Sequence, residues 1–495
     1  MICVTIGRSR HKHMLAEYLH LADLGAGMVE MRLDFIGRTV DLKRLLADRR
    51  CPIVMTCRRV QDGGQWEKSE DERLMLLRSA IVAGVDYVDL EEDIAAKIPR
   101  YGRTKRVISL HDFDGTPENL AELHARLSKL DADIVKIATM ANSFADTIRM
   151  LRLVESSQVP TIGISMGDIG TVSRILGPRF GSPWTYATIS SERRIAPGQL
   201  SLKQMRDIYR VDKLNSETKL YGVVADPVAH SLSPNAHNAA FDADSLNCCY
   251  VPFRITPDEL PMFVTWSRQF GIGGLSVTIP HKEQMVGLVD QAEAAVSEIG
   301  ALNTVVFGND VATGYNTDYR AAMDCLIDKL AISGNASEPF RDMVALVLGA
   351  GGAARAIAFG LRQRGATVNI TSRTRQRAEE LARYVGGGVV DWDDRYGTRP
   401  AIIVNTTPIG MHPNIDENPF DRQNLRREMV VFDTVYNPET TLLIKGAREV
   451  GCKTITGVDM FVRQAAYQYK LFTGREANRD VMQKAVQKAT SSVNY

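Results

Sequence analysis

The chain lacks the marks of several protein classes. It has no CxxC pair and no His/Cys cluster at zinc-ligand spacing, although seven Cys are scattered through its 495 residues. This excludes a zinc ribbon or a disulfide framework, and the odd count points to a reducing, cytoplasmic setting. Charge of either sign is not in excess: 60 Lys and Arg stand against 59 Asp and Glu, a net charge of +1. That balance gives no support to a nucleic-acid partner or a polybasic membrane surface. The N-terminus runs straight into Ile2-Cys3-Val4-Thr5-Ile6, without a basic segment and long apolar core, so no secretion signal is expected. A membrane helix needs about 20 mostly apolar residues. The most apolar long stretch, Met343 to Gly360, is broken by Arg355 and four glycines. What is present is an ordinary globular composition, 44% hydrophobic, long enough for two or three domains.

The first 200 residues alternate short β-branched or apolar runs with longer amphipathic stretches. The runs lie near Ile2–Ile6, Met28–Leu33, Ile53–Thr56, Val85–Leu90, Arg106–Leu110, Ile134–Ile137, Thr161–Ser165 and Trp184–Ile189. Strands alternating with helices imply a parallel sheet. Eight such units fit an α/β fold of the (β/α)8-barrel type, although no internal repeat is detectable. The polar stretch Arg210–Lys219 reads as a linker. A second polar stretch, Ser333–Arg341, precedes another α/β segment, and Val458–Phe472 reads as a helix.

In such a barrel, chemistry sits at the C-terminal ends of the strands. Glu30, Arg32 and Asp34 alternate along the second run, Arg58 ends the third, and His111 with Asp112 ends the fifth. Arg174 follows the seventh run and Gln199 the eighth. Lys136 lies inside the apolar sixth run, where burial disfavours its ammonium form and favours a nucleophilic amine. The plainer alternative is a lysine reaching solvent at the rim or paired with a carboxylate. The segments Glu30-Met-Arg32-Leu-Asp34, Thr56-Cys57-Arg58-Arg59, Ser109-Leu-His111-Asp112, Val135-Lys136-Ile137-Ala138, Ser173-Arg174 and Ala196-Pro197-Gly198-Gln199 resemble type I 3-dehydroquinate dehydratase, in family order. The resemblance implies an imine on Lys136, proton transfer by His111, and a substrate pocket of Glu30, Arg32, Arg58, Arg174 and Gln199, with no metal. Two departures stand out. Ile195 replaces the usual serine four residues before the glutamine. Asp62 replaces a common glutamate and is expected to orient His111 less well.

In the second half, Gly349-Ala-Gly351-Gly352-Ala353-Ala354 follows an apolar run and opens a helical pattern, as in a dinucleotide site. The next run ends in Thr371-Ser372-Arg373-Thr374, with Arg375 and Arg377 beyond. Arginine where NAD sites place an acid favours the 2′-phosphate of NADP. Four upstream segments are Ser231-Leu-Ser233-Pro234-Asn-Ala-His237-Asn238, Val277-Thr278-Ile-Pro280-His281-Lys282, Gly300-Ala-Leu-Asn303-Thr304 and Asn316-Thr317-Asp318. With Asn405-Thr-Thr-Pro408, Tyr436-Asn-Pro438, and Gly457-Val-Asp-Met460 plus Gln464, they resemble shikimate dehydrogenase over about 219–475. The resemblance implies Lys282 and Asp318 as the catalytic pair and Ser231 and Ser233 on the carboxylate. Thr278, Asn303 and Gln464 would bind hydroxyls, and Tyr436 would line the pocket. NADP would be held by Gly349, Gly351, Gly352, Ala353, Arg373, Thr374 and Arg377.

Together the resemblances imply a bifunctional enzyme of two consecutive steps of the shikimate pathway. It would form 3-dehydroshikimate from 3-dehydroquinate and reduce it with NADPH. The expected organisation is a barrel at 1–212, a substrate domain at 219–330 completed by about 460–495, and an NADP-binding Rossmann domain at 335–459. The partners expected are these small molecules, with a monomer or homodimer in the cytoplasm and neither nucleic acid nor membrane. The alternatives are a reductase half using quinate or NAD, and a barrel reduced to a non-catalytic scaffold.

Overall fold

The computed structural model describes residues 1–490 apart from 194, 230 and 333–336. The expected domain start at 335 and the final residues 491–495 therefore lie outside the described residues. The chain divides into two compact units, Met1–Lys219 with Val251–Ile255, and Leu220–Tyr250 with Thr256–Tyr495.

The first unit is built on eight strands: β1 (Ile2–Ile6), β2 (Met28–Arg32), β3 (Ile53–Thr56), β4 (Tyr87–Glu91), β5 (Lys105–Asp112), β6 (Ile134–Met140), β7 (Thr161–Met166) and β8 (Thr185–Ala187). Their order is β7-β6-β5-β4-β3-β2-β1-β8, and every bonded pair is parallel. This is a nearly closed barrel, with β7 and β8 as its unbonded ends. The period of two along each strand sends alternate side chains inward. Cys3, Met28, Val54, Val107, Ile134, Ile162 and Trp184 fill one end as an apolar plug. One step further along the strands the inward positions turn polar. Glu30, Asp89, Lys136 and Tyr186 come one from each even-numbered strand, which is how barrel interiors stack in layers of four.

The remaining strands form two sheets. The first comprises β9 (Lys219–Ala225), β10 (Cys248–Arg254), β11 (Ile272–Val277), β12 (Gln291–Ala292), β13 (Thr304–Gly308) and β14 (Val311–Tyr315), in the order β10-β9-β11-β13-β14-β12. Helix Gly457–Thr473 packs on it, with Val458, Phe461, Val462, Ala465 and Tyr469 meeting Tyr221, Val223 and Ala225. A reciprocal cap of Thr456 and Asp459 starts that helix, and Gly474, at φ 73°, ends it.

The second sheet comprises β15 (Val344–Leu348), β16 (Thr367–Thr371), β17 (Gly388–Val389), β18 (Ile402–Asn405), β19 (Val430–Asp433) and β20 (Lys453–Ile455). It is fully parallel, in the order β17-β16-β15-β18-β19-β20. That is the doubly wound order, whose switch point between β15 and β18 is where such sheets bind ligands. Helix Gly352–Gln363 buries Ala354, Ile357, Ala358 and Leu361, a spacing of 0, 3, 4 and 7 that makes one apolar stripe against β15 and β16. Full burial of each larger side chain in that stripe is worth roughly 1.5–3 kcal/mol.

Candidate active sites

The seven barrel residues expected from sequence line one pocket: Glu30, Arg32, Arg58, His111, Lys136, Arg174 and Gln199, joined by Thr5, Phe113, Tyr186 and Ile195. Lys136 Nζ lies 3.0 Å from Asp89 Oδ2 and 3.6 Å from Glu30 Oε1, and 4.3 Å above the Tyr186 ring. The paired lysine of the plainer reading is thus what the structure holds, but at the heart of the pocket rather than at its rim. Glu30 is fixed by the hydroxyls of Thr5 and Thr56, each donating at 2.8 Å. Asp89 accepts from Ser109 Oγ at 2.6 Å and from Arg58 Nη2 at 2.8 Å. Burial works to raise the Asp89 carboxyl, but Arg58, Lys136 and His111 prevail and hold it below the usual carboxylate range.

His111 is held well below its ordinary range by burial first, then by the cations Arg58 and Lys136. Arg58 Nη1 stands 3.0 Å from His111 Nδ1. An arginine only donates, so Nδ1 accepts and the neutral ring carries its hydrogen on Nε2. The expected role of Asp62 is corrected here. Its carboxylate accepts from Arg59 Nε at 2.6 Å and does not bond His111. Arg58 sets the ring instead, braced by Asp89 and by Glu91 at 3.3 Å. Arg32 is neutralised locally, because Asp34 in the following turn accepts from it at 2.9 and 2.8 Å.

Arg174 differs from the other pocket cations. It is fully buried, and among the described residues it has no carboxylate partner. Its Nη2 donates to the Pro197 carbonyl at 3.0 Å, and its Nε has no partner. Burial pulls it down to about 10. A buried, uncompensated guanidinium is costly unless an anion completes it. Gln199 Oε1 accepts from the backbone N–H groups of Ile195 and Ala196, pinning that loop over the pocket.

Sequence reading missed Asp89, Glu91 and Tyr186. The signal was there: Tyr87-Val-Asp89-Leu-Glu91 alternates with the same period as Glu30 and Arg32.

In the second unit, Lys282 follows β11 and Asp318 occupies the first turn of helix Thr317–Leu330, where the helix dipole favours an anion. Lys282 Nζ donates to Asp318 Oδ2 at 2.5 Å. Beside them, Asn303 Nδ2 donates to Thr317 Oγ1 at 2.9 Å and lies 3.4 Å from Gln464 Oε1. Asn303 Oδ1 accepts from Thr317 N–H and Thr304 Oγ1, so the amide turns its NH2 group outward from that anchor. Ser231 Oγ accepts from Ser233 N–H at 3.3 Å. Thr278 and Tyr436 make no side-chain hydrogen bond to these groups, and Tyr436 packs its ring 5.1 Å from Phe461.

The glycine turn fits a dinucleotide. Gly349 has φ 113°, and a Cβ there would lie 2.5 Å from Thr406 Oγ1, so no other residue suits it. A Cβ on Gly351 would meet nothing within 4 Å, which leaves its backbone open to a phosphate. A Cβ on Gly352 would lie 3.0 Å from Lys282 Cδ, so this turn and the lysine are neighbours. Beyond β16, Arg375 is tied to Glu379 and Asp391. Arg373 and Arg377 are exposed and form no ion pair among the described residues.

The sequence family described as type I 3-dehydroquinase matches residues 2–216. Shikimate dehydrogenase substrate binding domain matches 223–305, and shikimate 5′-dehydrogenase C-terminal domain matches 457–487. A bifunctional 3-dehydroquinate dehydratase/shikimate dehydrogenase, chloroplastic, of Arabidopsis thaliana is 37% identical, over 97% of this chain and 83% of its own length. A shikimate dehydrogenase (NADP(+)) of Methanosarcina acetivorans is 40% identical over 55% of this chain and 98% of its own. A crystal structure of shikimate dehydrogenase in complex with NADP+ is 38% identical, with TM-score 0.52, over 56% of this chain and 98% of that one. Fold and site together define a dehydroquinase barrel joined to a shikimate dehydrogenase module. The chain belongs to the family of bifunctional 3-dehydroquinate dehydratase/shikimate dehydrogenases.

Among the described residues, no helix is long and apolar enough to cross a membrane.

Proposed function

We propose that the barrel dehydrates 3-dehydroquinate to 3-dehydroshikimate through an imine on Lys136, and that the second unit reduces 3-dehydroshikimate to shikimate with NADPH. One observation carries the first reading: Lys136 shares a single pocket with the six other residues expected to act there. Attack of the Lys136 amine on the ketone expels one water and leaves an iminium, which draws electrons from the adjacent carbon. That carbon gives up a proton, and the hydroxyl on the next carbon leaves as a second water; hydrolysis of the product imine then takes up one water, frees Lys136 and releases 3-dehydroshikimate, for a net loss of one water. His111, neutral through its burial, is the base at hand. As the base, His111 needs a free ring nitrogen, so the Arg58 bond to Nδ1 has to give way when substrate binds. Arg174 takes the substrate carboxylate, which supplies the anion its guanidinium lacks. Glu30, Arg32 and Gln199 complete the pocket.

In the reductase, Lys282 donates the proton to the developing alkoxide, and Asp318 holds it. Asn303 and Gln464 bind ring hydroxyls with Thr278, Ser231 and Ser233 bind the carboxylate, and Tyr436 forms a wall. When bound, NADPH supplies the hydride. Gly349, Gly351, Gly352 and Ala353 would hold its pyrophosphate, and Arg373, Thr374 and Arg377 its 2′-phosphate. Ser233 and the exposed Arg373 and Arg377 favour shikimate and NADP over quinate and NAD. We divide the chain as 1–212, 219–330 with 460–495, and 335–459. The scattered cysteines, with no CxxC pair, support a cytoplasmic protein. A monomer or homodimer is our reading of its assembly.

Borohydride reduction in the presence of 3-dehydroquinate tests the dehydratase. It is expected to fix a covalent adduct on Lys136, and Lys136→Ala is expected to abolish both adduct and dehydration. Full dehydration by Lys136→Ala would overturn the proposal.

A further inference from the structure

The even-strand layer of the barrel contains one hydroxyl with no acceptor among the described residues. Glu30 accepts from Thr5 and Thr56, Asp89 accepts from Ser109, Arg58 and Lys136, and Lys136 donates to Asp89. The fourth member, Tyr186, is 3% exposed and lines the same pocket. Its hydroxyl is buried and donates to no acceptor among the described residues; the Trp184 indole N–H, which can only donate, is placed toward its oxygen. The neighbouring carboxylates accept from Thr5, Thr56, Ser109, Arg58 and Lys136, and not from Tyr186. Those carboxylates also oppose any charge on the phenol: burial first, then Glu30 and Asp89, push Tyr186 well above its ordinary range. The group is therefore a neutral O–H donor at all working pH values. A buried phenol normally finds a partner. Leaving its O–H without an acceptor costs stability in a barrel that otherwise satisfies this layer.

We propose that Tyr186 is a substrate-binding residue of the dehydratase, its hydroxyl donating a hydrogen bond to a substrate oxygen close to the carbon held by Lys136. This rests on the imine reading of Lys136. The placement follows from the contact already in the structure, because the Lys136 ammonium sits over the Tyr186 ring. A carbon framework joined to that nitrogen lies beside the ring, and a polyhydroxylated substrate brings oxygens to its edge. Ile195, which lines the same pocket, offers no hydroxyl of its own.

The test is Tyr186→Phe in the full chain, with steady-state dehydration of 3-dehydroquinate, borohydride trapping and thermal unfolding measured together. The expected result is a KM raised about tenfold, the size of one hydrogen bond to a buried partner. The unfolding midpoint should be unchanged or higher, because an unsatisfied buried hydroxyl has been removed. A hydroxyl with a merely structural bond would give the opposite pair, an unchanged KM and a lower midpoint. An unaltered KM in an active, trappable wild-type background overturns the role of Tyr186. Failure of the wild type itself to trap substrate overturns the Lys136 reading instead. Reduction of 3-dehydroshikimate by the same variant serves as the folding control.

Discussion

The Nζ of Lys136 and the carboxylate of Asp89 are 3.0 Å apart, and the other Asp89 oxygen is 2.8 Å from Arg58. One buried acid therefore anchors both Lys136 and the arginine that bonds His111. Asp89→Asn would keep the shape but remove the charge. Charge-assisted bonds of this kind are worth roughly 1.5–3 kcal/mol. Dehydration kcat/KM is expected to fall about 10- to 100-fold, with reduction of 3-dehydroshikimate unchanged. Steady-state assays of the two half-reactions on one preparation check this.

His111 titrates below its usual 6.5 because burial and two neighbouring cations disfavour its charged form. In its proposed role as base the ring must be neutral, and lowering the pH protonates it only after passing that depressed value. The acid limb of kcat/KM for dehydration is therefore expected below pH 6.5. A pH profile with its acid midpoint at or above 6.5 would contradict this.

Arg174 exchanges stability for affinity. Its guanidinium is buried without a carboxylate partner among the described residues, so Arg174→Met is expected to raise the thermal midpoint while raising KM for 3-dehydroquinate at least about 10-fold. Differential scanning calorimetry and steady-state kinetics on the same variant test the two signs together. A lower midpoint would show that the guanidinium is satisfied by a bond other than the Pro197 carbonyl.

Much of the barrel site was legible because strand alternation is a strict rule: inward positions recur every second residue. Glu30 and Arg32 were found that way, and Lys136 as a cation inside an apolar run. Asp89 and Glu91 obey the same rule, yet two acids in an apolar run read as ordinary surface residues until the partners across the barrel are known. Asp62 shows the converse. Loop residues carry no period, and Arg59 captures its carboxylate at 2.6 Å, which no spacing foretells. In the second unit the glycine turn was legible because Gly349 needs a positive φ. That the turn abuts Lys282 depends on tertiary packing.

Asp433 provides a pH signature in the nucleotide-binding sheet. Burial raises its carboxyl from 3.8 to about 6, against bonds donated by Thr441, Val435 and Asn405. The folded form thus holds the proton more tightly than the unfolded chain. This stabilisation is complete below pH 3.8 and is lost as the pH rises through about 6. The loss is on the order of 3 kcal/mol. Asp433→Asn mimics the protonated acid. Relative to wild type, its NADP+-sensitive unfolding transition is expected to gain stability between pH 4.5 and 7. A constant difference across that range would contradict the assignment.

Arg373 and Arg377 stand exposed beyond β16 and form no ion pair among the described residues. Replacing both by Ser is expected to raise KM for NADPH about 10- to 100-fold and to leave NADH nearly unaffected. Equal losses with both nucleotides would mean that the pair does not read the 2′-phosphate.

The most direct test of the account is a single assay on the purified full chain, with 3-dehydroquinate and NADPH as the only substrates. The account predicts oxidation of NADPH at 340 nm with shikimate as the product. Lys136→Ala should stop the reaction from 3-dehydroquinate but not from 3-dehydroshikimate. No oxidation from 3-dehydroquinate in the wild type, with oxidation from 3-dehydroshikimate intact, would contradict the claim that both halves act in sequence.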